Sequence, residues 1–228
     1  MDVFRENSDD ILLAFGRSLE LIIAAGVIAM LVGSFLAALR VSPIWLGRTL
    51  GSLYVSTVRN TPLLLIMLIA AFGVPELDIR PAVSLGDATL LQFNFFFMMA
   101  MFSLGLYTAS FVCEALRSGI NAIPLGQAEA ARSIGMTFGQ TLRHVILPQA
   151  FRLVIPPITN VLIAMAKNSS VALAVGVTEA TFQMNKLIND NTSALYSLFI
   201  GFALFYIAIV AVISVVSSLI ERRVKVAS

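Results

Sequence analysis

Four consecutive polar residues interrupt the apolar stretch 153–177, and they are Lys167, Asn168, Ser169 and Ser170. If the stretch lies in a lipid bilayer, an ammonium group there costs at least ~2.5 kcal/mol and usually faces a protein interior or a watery cavity. Interrupted helices also leave backbone polar groups free to bind a small solute. The run therefore predicts residues that line a path for a polar solute. Alternatively, Lys167 packs against a carboxylate or carbonyl and holds two subunits together.

A second candidate is the polar segment of about 117–152. Pro124 stands where a helix can begin and Gly135 where it would end, because glycine accepts a positive φ at little cost. Thr137 and Gln140 follow with the spacing of a capping box, in which each residue satisfies a backbone donor of the other. The pattern predicts two short helices joined by a glycine, the second running toward Pro148. They form either a docking knob or an ordinary surface helix-turn-helix.

Several charged residues lie at the ends of the apolar stretches. Glu114 precedes Arg117 by three residues, a spacing that favours an ion pair on one face of a helix. Arg17 and Glu20 have the same spacing near the start of the chain. We expect structural ion pairs at both places.

The sequence Arg59-Asn60-Thr61-Pro62 precedes another apolar stretch. Pro62 suits the first turn of a helix, with Thr61 or Asn60 as its cap. We expect these residues to be structural. The alternative is that Arg59, Asn60, Thr61 and Glu114 form a gate or a subunit interface.

Other kinds of chemistry lack the residues they need. The three lysines follow Ala166, Asn185 and Val224, so no lysine follows a glycine as a phosphate-binding loop requires. One cysteine and one histidine exclude an internal disulfide and a Cys/His metal cluster. Dispersed basic residues and a net charge of +2 argue against nucleic acid as a partner. Energy from ATP must therefore come from another chain, and catalysis by this one is not expected.

The composition indicates what must position these groups. The chain has 228 residues, of which 58% are hydrophobic and 12% charged. A soluble domain carries about 25% charged residues, so a soluble enzyme is excluded. We expect one all-α, polytopic membrane domain over residues 1–228. The pattern predicts five transmembrane helices, at about 11–39, 60–74, 90–116, 152–177 and 195–220.

Basic residues indicate the orientation, because cytoplasmic segments retain them during membrane insertion. Ten basic residues fall on the same predicted side of the membrane: Arg40, Arg48, Arg59, Arg117, Arg132, Arg143, Arg152, Arg222, Arg223 and Lys225. We expect the N-terminus outside and the C-terminus in the cytoplasm. The acidic first ten residues do not match a signal peptide, so the first helix should be retained. Of the two outer loops, 75–89 should be irregular and 178–194 should contain a short helix.

The segment 117–152 carries a recognisable motif. Glu129-Ala130-Ala131, three residues, Gly135, nine residues and Val145-Ile146-Leu147-Pro148 resemble the EAA motif of permease subunits of bacterial ATP-binding-cassette (ABC) importers. The family commonly has isoleucine in place of Val145. Further stretches resemble its polar amino-acid branch, with Asn60 replacing a usual glycine and Cys113 a usual alanine. These are residues 59–63, 113–120, 126–127 and 167–170. The similarity spans about residues 10–220. Within the family, the chain looks most similar to the permeases of actinobacterial glutamate importers.

The resemblance implies a bacterial plasma-membrane permease with the type I ABC importer fold. It implies that the segment 117–152, hereafter the EAA segment, couples the permease to an ATPase through Gln127, Glu129, Ala130, Ala131 and Gly135. The implied partners are a second permease (identical or homologous), two ATPase subunits, an extracytoplasmic solute-binding protein and membrane lipid. The ATPase would bind ATP and Mg²⁺, so no cofactor is expected in this chain.

Two other classes of protein compete with this interpretation. A secondary transporter driven by protons or sodium would use Glu20 or Glu114 as its titrating group. Five spans without an internal repeat argue against it. A purely structural membrane subunit fits the composition but leaves the polar run at 167–170 unexplained.

Overall fold

The computed structural model describes residues 2–77 and 95–224, which contain helices and no strands. The predicted all-α class is confirmed. The α-helices are α1 (Asp2–Glu6), α2 (Ser8–Val41), α3 (Trp45–Arg59), α4 (Leu63–Leu68), α5 (Phe95–Asn121), α6 (Leu125–Ser133), α7 (Phe138–Thr141), α8 (Leu147–Asn168), α9 (Ala180–Asp190) and α10 (Leu195–Val224). The π-helices Ile69–Gly73 and Leu142–Ile146 and the 3₁₀ helices Pro75–Leu77, Ser169–Val175 and Thr192–Ala194 lie between them.

Four helical segments of the described chain are long and apolar enough to cross a membrane, namely Ser8–Val41, Phe95–Asn121, Phe138–Val175 and Thr192–Arg223. They match four of the five predicted spans, although residue 90, the predicted start of the third, lies outside the described residues. We call the end of the bundle where α2 begins the outer end and the opposite end the inner end, following the predicted orientation.

The predicted span at 60–74 is wrong as a single straight helix. Helix α4 and its π-helical extension cover only residues 63–73, roughly 16 Å, which is short of the hydrocarbon thickness. Helix α3 precedes it at an angle of 101°, and the pair makes a fifth span if both are counted together. Pro62 lacks an N–H and disfavours helical backbone at Thr61, so the chain turns there.

Helices α2 and α5 approach closely through small residues. A Cβ at Gly33 would lie 2.6 Å from the Val112 side chain, and one at Gly105 would lie 2.8 Å from that of Ile28. Real Cβ atoms do not come this close, so glycine is required at both positions. Small residues at helix interfaces are typical of membrane bundles, where close packing replaces the hydrophobic effect.

The helices share a core but leave apolar surface uncovered. Leu21, Met67, Phe97, Leu104 and Met165 pack together between α2, α4, α5 and α8. Much of α10 is exposed, and its outward apolar side chains include Phe199, Ile200, Leu204, Ile207 and Val212. Apolar surface of this kind is what a chain in a bilayer presents to lipid or to another subunit.

The outer ends of α2 and α10 are joined by α9, which confirms the short helix predicted within 178–194. Phe15 stacks on Phe205 with ring centroids 3.9 Å apart, and Leu187 and Phe202 are buried beside them. Of the other outer loop, Pro75–Leu77 is a 3₁₀ turn, and the predicted irregular remainder lies outside the described residues.

Candidate functional site

The two halves of the EAA segment are joined by a well-defined turn. Gly135 has a φ of 90°, and its N–H bonds to the Arg132 carbonyl at 3.0 Å. The Met136 N–H bonds to the Ala131 carbonyl at 3.2 Å, which completes a Schellman motif. The capping box of Thr137 and Gln140 is also present, with both reciprocal hydrogen bonds. The predicted helix start, glycine stop and capping box are therefore confirmed.

The second helix of the EAA segment does not end near Pro148 as predicted. Helical structure continues from Phe138 to Val175 through the π-turn Leu142–Ile146. Pro148 lies in the first turn of α8, where its missing N–H removes a hydrogen bond from the preceding turn. A π-turn widens the backbone at that point, and the helix passes the proline without breaking. The second half of the EAA segment is thus helically continuous with a membrane span.

The predicted coupling residues do not all face the same way. Gln127, Glu129, Ala130 and Gly135 are exposed, whereas Ala131 is buried within the chain. Sequence reasoning missed the two apolar side chains that flank this surface, Leu125 and Ile134, which are 79% and 80% exposed. The signal was available, because apolar residues at both ends of a short polar helix are unusual on a solvated surface. The exposed face is therefore polar with an apolar residue at each end.

The polar run lies at a change of helix type. Lys167 and Asn168 end α8, and Ser169 and Ser170 begin the 3₁₀ helix that stops at Gly176, where φ is 79°. The hydroxyl of Ser169 is buried and donates to the Ala166 carbonyl at 2.8 Å, and that of Ser170 donates to the Lys167 carbonyl at 2.7 Å. Both serine protons are therefore committed to backbone carbonyls.

The side chains of the polar run point into two different cavities. Lys167 and Ser170 line a cavity of about 330 Å³ against α9 and α10, together with Thr181 and Tyr206. Asn168 lines a second cavity, of about 340 Å³, between α5 and α8. Within the described part of the chain, no carboxylate lies at ion-pair distance from the Lys167 ammonium group. The four residues thus lie in one segment of the chain, but they do not line one common cavity.

The cavity between α5 and α8 is largely apolar, with a few polar groups and no charged residue in its lining. Asn160 and Asn168 contribute amide groups from α8, and Tyr107 and Thr108 contribute hydroxyls from α5. Phe111 forms part of the wall, one turn further toward the inner end. Amides and hydroxyls both donate and accept hydrogen bonds, so these four side chains could orient a small solute within the otherwise apolar cavity.

Glu114 joins three helices at the inner end. It accepts a hydrogen bond from Arg40 of α2, which also donates to Ser52 Oγ at 3.2 Å. Arg59 Nη1 lies 3.9 Å from the same carboxylate oxygen, and its guanidinium carbon is 5.2 Å from the centre of the Phe111 ring. We call Arg40, Arg59 and Glu114 the inner ion cluster.

Glu114 does not form the predicted direct ion pair with Arg117, because α2 packs against α5 and brings Arg40 to the carboxylate, although Arg117 still attracts Glu114 electrostatically. The predicted pair of Arg17 and Glu20 is present, at 3.5 Å.

Neither predicted cap of α4 is formed. Asn60 instead ends α3, and the Thr61 hydroxyl donates back to the Thr57 carbonyl at 2.8 Å. Helix α4 begins after Pro62 without a side-chain cap. Thr61 is therefore bound to the preceding helix, because the turn of the chain separates it from the first N–H groups of α4.

A buried carboxylate at the outer end was missed. Glu179 is fully buried and accepts hydrogen bonds from Ser18 Oγ at 3.2 Å, Tyr206 Oη at 2.9 Å, and the N–H groups of Thr181 and Phe182 at 2.9 Å each. Burial raises the pKa of the Glu179 carboxyl, and these hydrogen bonds limit the rise. The sequence did contain a signal, since an acidic residue directly before a short helix can cap it.

The helices, the EAA segment and the glycine turn define a class of transport protein. Residues 24–226 match the family described as binding-protein-dependent transport system inner membrane component, and the chain belongs to that family. It is a multi-pass permease subunit of an ABC importer, with the type I fold, and not an enzyme, since a separate subunit hydrolyses ATP. A permease of this family works with an ATPase, a second permease and a substrate-binding protein.

The names of individual relatives are more specific than the description of the family. The chain is 43% identical over 191 residues to the glutamate transport system permease protein GluC of Corynebacterium glutamicum, covering 83% of each chain. It is 37% identical over 212 residues to the glutamate/aspartate import permease protein GltJ of Escherichia coli, covering 92% of this chain and 85% of that one. A crystal structure of an amino acid ABC transporter with histidines aligns over 96% of both chains, with a TM-score of 0.83 and 29% identity. The family resemblance is confirmed, and the ion-driven transporter is not favoured.

Proposed function

We propose that this permease imports an acidic amino acid, with glutamate as the first candidate. The observation that carries the proposal is the 43% identity to a permease named for glutamate transport, over most of both chains. The 37% identity to a glutamate/aspartate permease supports the same substrate class. The two cavities beside the 167–170 run are largely apolar, but their few polar side chains provide donors and acceptors for an amino acid within the bundle.

The active assembly would contain two permeases and two ATPase subunits, with a solute-binding protein at the outer end. Five spans in one chain leave little room to enclose a pathway for a polar solute, whereas two chains around a two-fold axis enclose one. The second permease is either a copy of this chain or a homologue. The N-terminus would lie outside and the C-terminus in the cytoplasm, as the basic residues predict. ATP and Mg²⁺ would bind to the ATPase, with no cofactor in this chain.

The EAA segment would transmit movements of the ATPase to the membrane. Gln127, Glu129, Ala130 and Gly135 lie on its exposed surface and would meet the ATPase directly. Buried Ala131 would instead let α6 pack closely on its own chain. Since the helix continues through a π-turn into α8, a displacement of the segment would move the span that carries Asn168. ATP binding would open the pathway outward, and hydrolysis would return it to the inward state.

The solute path would run along the polar segment. Lys167 and Ser170 border the cavity nearer the outer end, and the ammonium group of Lys167 would attract a carboxylate on entry. Asn168 would contact the solute further in, in the cavity between α5 and α8. Buried Ser169 would fix the backbone between them through its bond to the Ala166 carbonyl. Arg59, Asn60, Thr61 and Glu114 would form the gate at the inner end.

Competition in whole cells tests the substrate class. Cells that lack their own glutamate uptake would express this permease with its second permease, ATPase and binding protein, and take up labelled glutamate. Unlabelled glutamate and aspartate should compete in excess, whereas arginine should not. Competition by arginine but not aspartate would contradict the acidic class.

A further inference from the structure

A third cavity lies at the inner end of the bundle, away from the polar run. Its volume is about 500 Å³, and its lining comes from the end of α2, the end of α5 and the helical segment Phe138–Val175. Eleven of its thirteen lining residues are apolar, and the other two are Ser34 and Ser42. We call this cavity the inner apolar groove. The proposed function gives it no role.

The inner apolar groove opens onto an exposed apolar face of α2. Two of its lining residues, Ala38 of α2 and Phe151 of α8, are exposed. Toward the outer end, the same face of α2 continues with Ile23, Val27 and Leu31, which are 66%, 55% and 69% exposed. Lipid is the solvent of such a face in a membrane protein. The groove is therefore continuous with a surface suited to acyl chains.

The inner edge of the groove lies close to the boundary between membrane and water. Ser42 follows α2 directly, and Trp45, three residues later, is 69% exposed. Exposed tryptophans are enriched at this boundary. The lining residues of α2 run from Ser42 back to Ser34, a rise of about 12 Å. One leaflet contributes roughly 15 Å of hydrocarbon, so the groove spans most of the depth of the inner leaflet.

The elements that line the groove carry a surplus of positive charge at their inner ends. Within these described helices, the inner ends hold four arginines and one carboxylate, and these are Arg40, Arg117, Arg143, Arg152 and Glu114. Glu114 accepts a hydrogen bond from Arg40, so three positive charges remain in excess. Basic pockets between membrane helices on the cytoplasmic side attract anionic lipid headgroups.

We infer that the inner apolar groove binds one acyl chain of an anionic phospholipid from the inner leaflet, with the headgroup at the arginine-rich edge. Ser42 Oγ accepts a hydrogen bond from the Ile44 N–H at 3.2 Å, so its own O–H is available to an ester or phosphate oxygen of the lipid. The acyl chain would touch α2, α5 and the EAA residues Phe138 and Leu142 together. It would thus hold the second half of the EAA segment against α2, whatever solute the permease imports.

Photo-crosslinking tests the inference with the whole complex, including the second permease, the ATPase and the binding protein. Nanodiscs of phosphatidylcholine would contain a trace of phosphatidylglycerol with a photoreactive diazirine in one acyl chain. After irradiation, mass spectrometry should find the label on peptides that contain Ala38 or Phe151. Excess unlabelled phosphatidylglycerol should lower this labelling at least fivefold, whereas the same excess of phosphatidylcholine should change it less than twofold. Equal competition by the two lipids would overturn the inference.

A bulky side chain in the groove should displace the lipid. Ala38→Trp fills the groove from an exposed position on α2, so labelling of the Phe151 peptide should fall at least fivefold. The matched control is Val27→Trp, which adds the same side chain to the same face of α2 but outside the groove, and labelling should be unchanged. Equal labelling in the two variants would overturn the inference. Labelling of the permease alone but not of the complex would also overturn it, because another subunit would then cover the groove.

A second pair of variants tests the headgroup without changing the groove itself. Arg143→Gln combined with Arg152→Gln removes two exposed arginines from the elements that line it. Competition by phosphatidylglycerol should then fall to within twofold of that by phosphatidylcholine. The control combines Arg222→Gln with Arg223→Gln, which removes two exposed arginines from the inner end of α10 and should leave the difference between the lipids intact. Equal lipid preference in the two double variants would overturn the assigned headgroup site.

Discussion

The Ser18 hydroxyl bridges two groups at the start of α9. It donates to the Glu179 carboxylate at 3.2 Å and accepts a hydrogen bond from the Ala180 N–H at 2.9 Å. Tyr206 of α10 donates to the same carboxylate oxygen at 2.9 Å. One buried carboxylate thus fixes the outer helix to the first and last spans.

Loss of this carboxylate should destabilise the protein. Glu179→Ala removes the acceptor of the Ser18 hydroxyl and of two N–H groups of α9, and each unsatisfied buried group costs about 1–3 kcal/mol. The Tyr206 hydroxyl loses one partner and keeps Thr181. The melting temperature of the purified complex should therefore fall clearly. Asp190→Ala removes an exposed carboxylate from the end of the same helix and is the control. Equal melting temperatures for the two variants would show that the network contributes no stability.

The raised pKa of Glu179 predicts a pH dependence of stability. Because burial raises this pKa in the folded state, folding favours the protonated form. The resulting stabilisation is complete below the unfolded pKa, roughly 4.3, and is lost as pH rises through the folded value. Glu179→Gln mimics the protonated form and removes this titration. The difference in melting temperature, wild type minus Glu179→Gln, should decrease as the pH rises above about 4.5. An increase would contradict a raised pKa of Glu179.

The EAA segment should be sensitive at its glycine turn. Gly135→Val places a β-branched residue at a φ of 90°, at a cost of ~1 kcal/mol or more, and Glu129→Lys reverses an exposed charge. Both should reduce uptake and stimulated ATP hydrolysis more than membrane insertion. Gly139→Val is the control, because Gly139 has open space around it and no positive φ. Normal uptake and normal ATP hydrolysis in both test variants would remove the coupling role.

Lys167 should affect uptake rather than assembly. Lys167→Met keeps most of the length and apolar bulk of the side chain but removes its charge, so labelled glutamate uptake should fall strongly while complex yield is unchanged. Lys186→Met, at an exposed lysine of α9, is the control. Loss of the complex would make Lys167 a structural residue, and normal uptake would remove it from the solute path.

Local patterns predicted local structure well. The capping box of Thr137 and Gln140 and the turn at Gly135 depend on neighbouring residues, so the sequence alone was sufficient for them. The four long spans followed from their apolar length. The span predicted at 60–74 covers α4, but α3 and the 101° bend before α4 were missed, because α3 is short and its contribution to a crossing depends on that bend.

Contacts between distant residues were not predictable from spacing. The partner of Glu114 is Arg40, 74 residues away, and the burial of Glu179 depends on Ser18, 161 residues away. Both contacts exist because α2 packs along α5 and beneath α9. The divergence of Lys167 and Asn168 into separate cavities likewise depends on which helices surround α8.

The most direct test of the account is the energy source of transport by the purified chain. Proteoliposomes would contain this permease with its ATPase, its second permease and the binding protein, or the permease alone. Labelled glutamate should accumulate only in the complete complex, only with ATP, and independently of proton or sodium gradients. Accumulation by the permease alone on an ion gradient would contradict it.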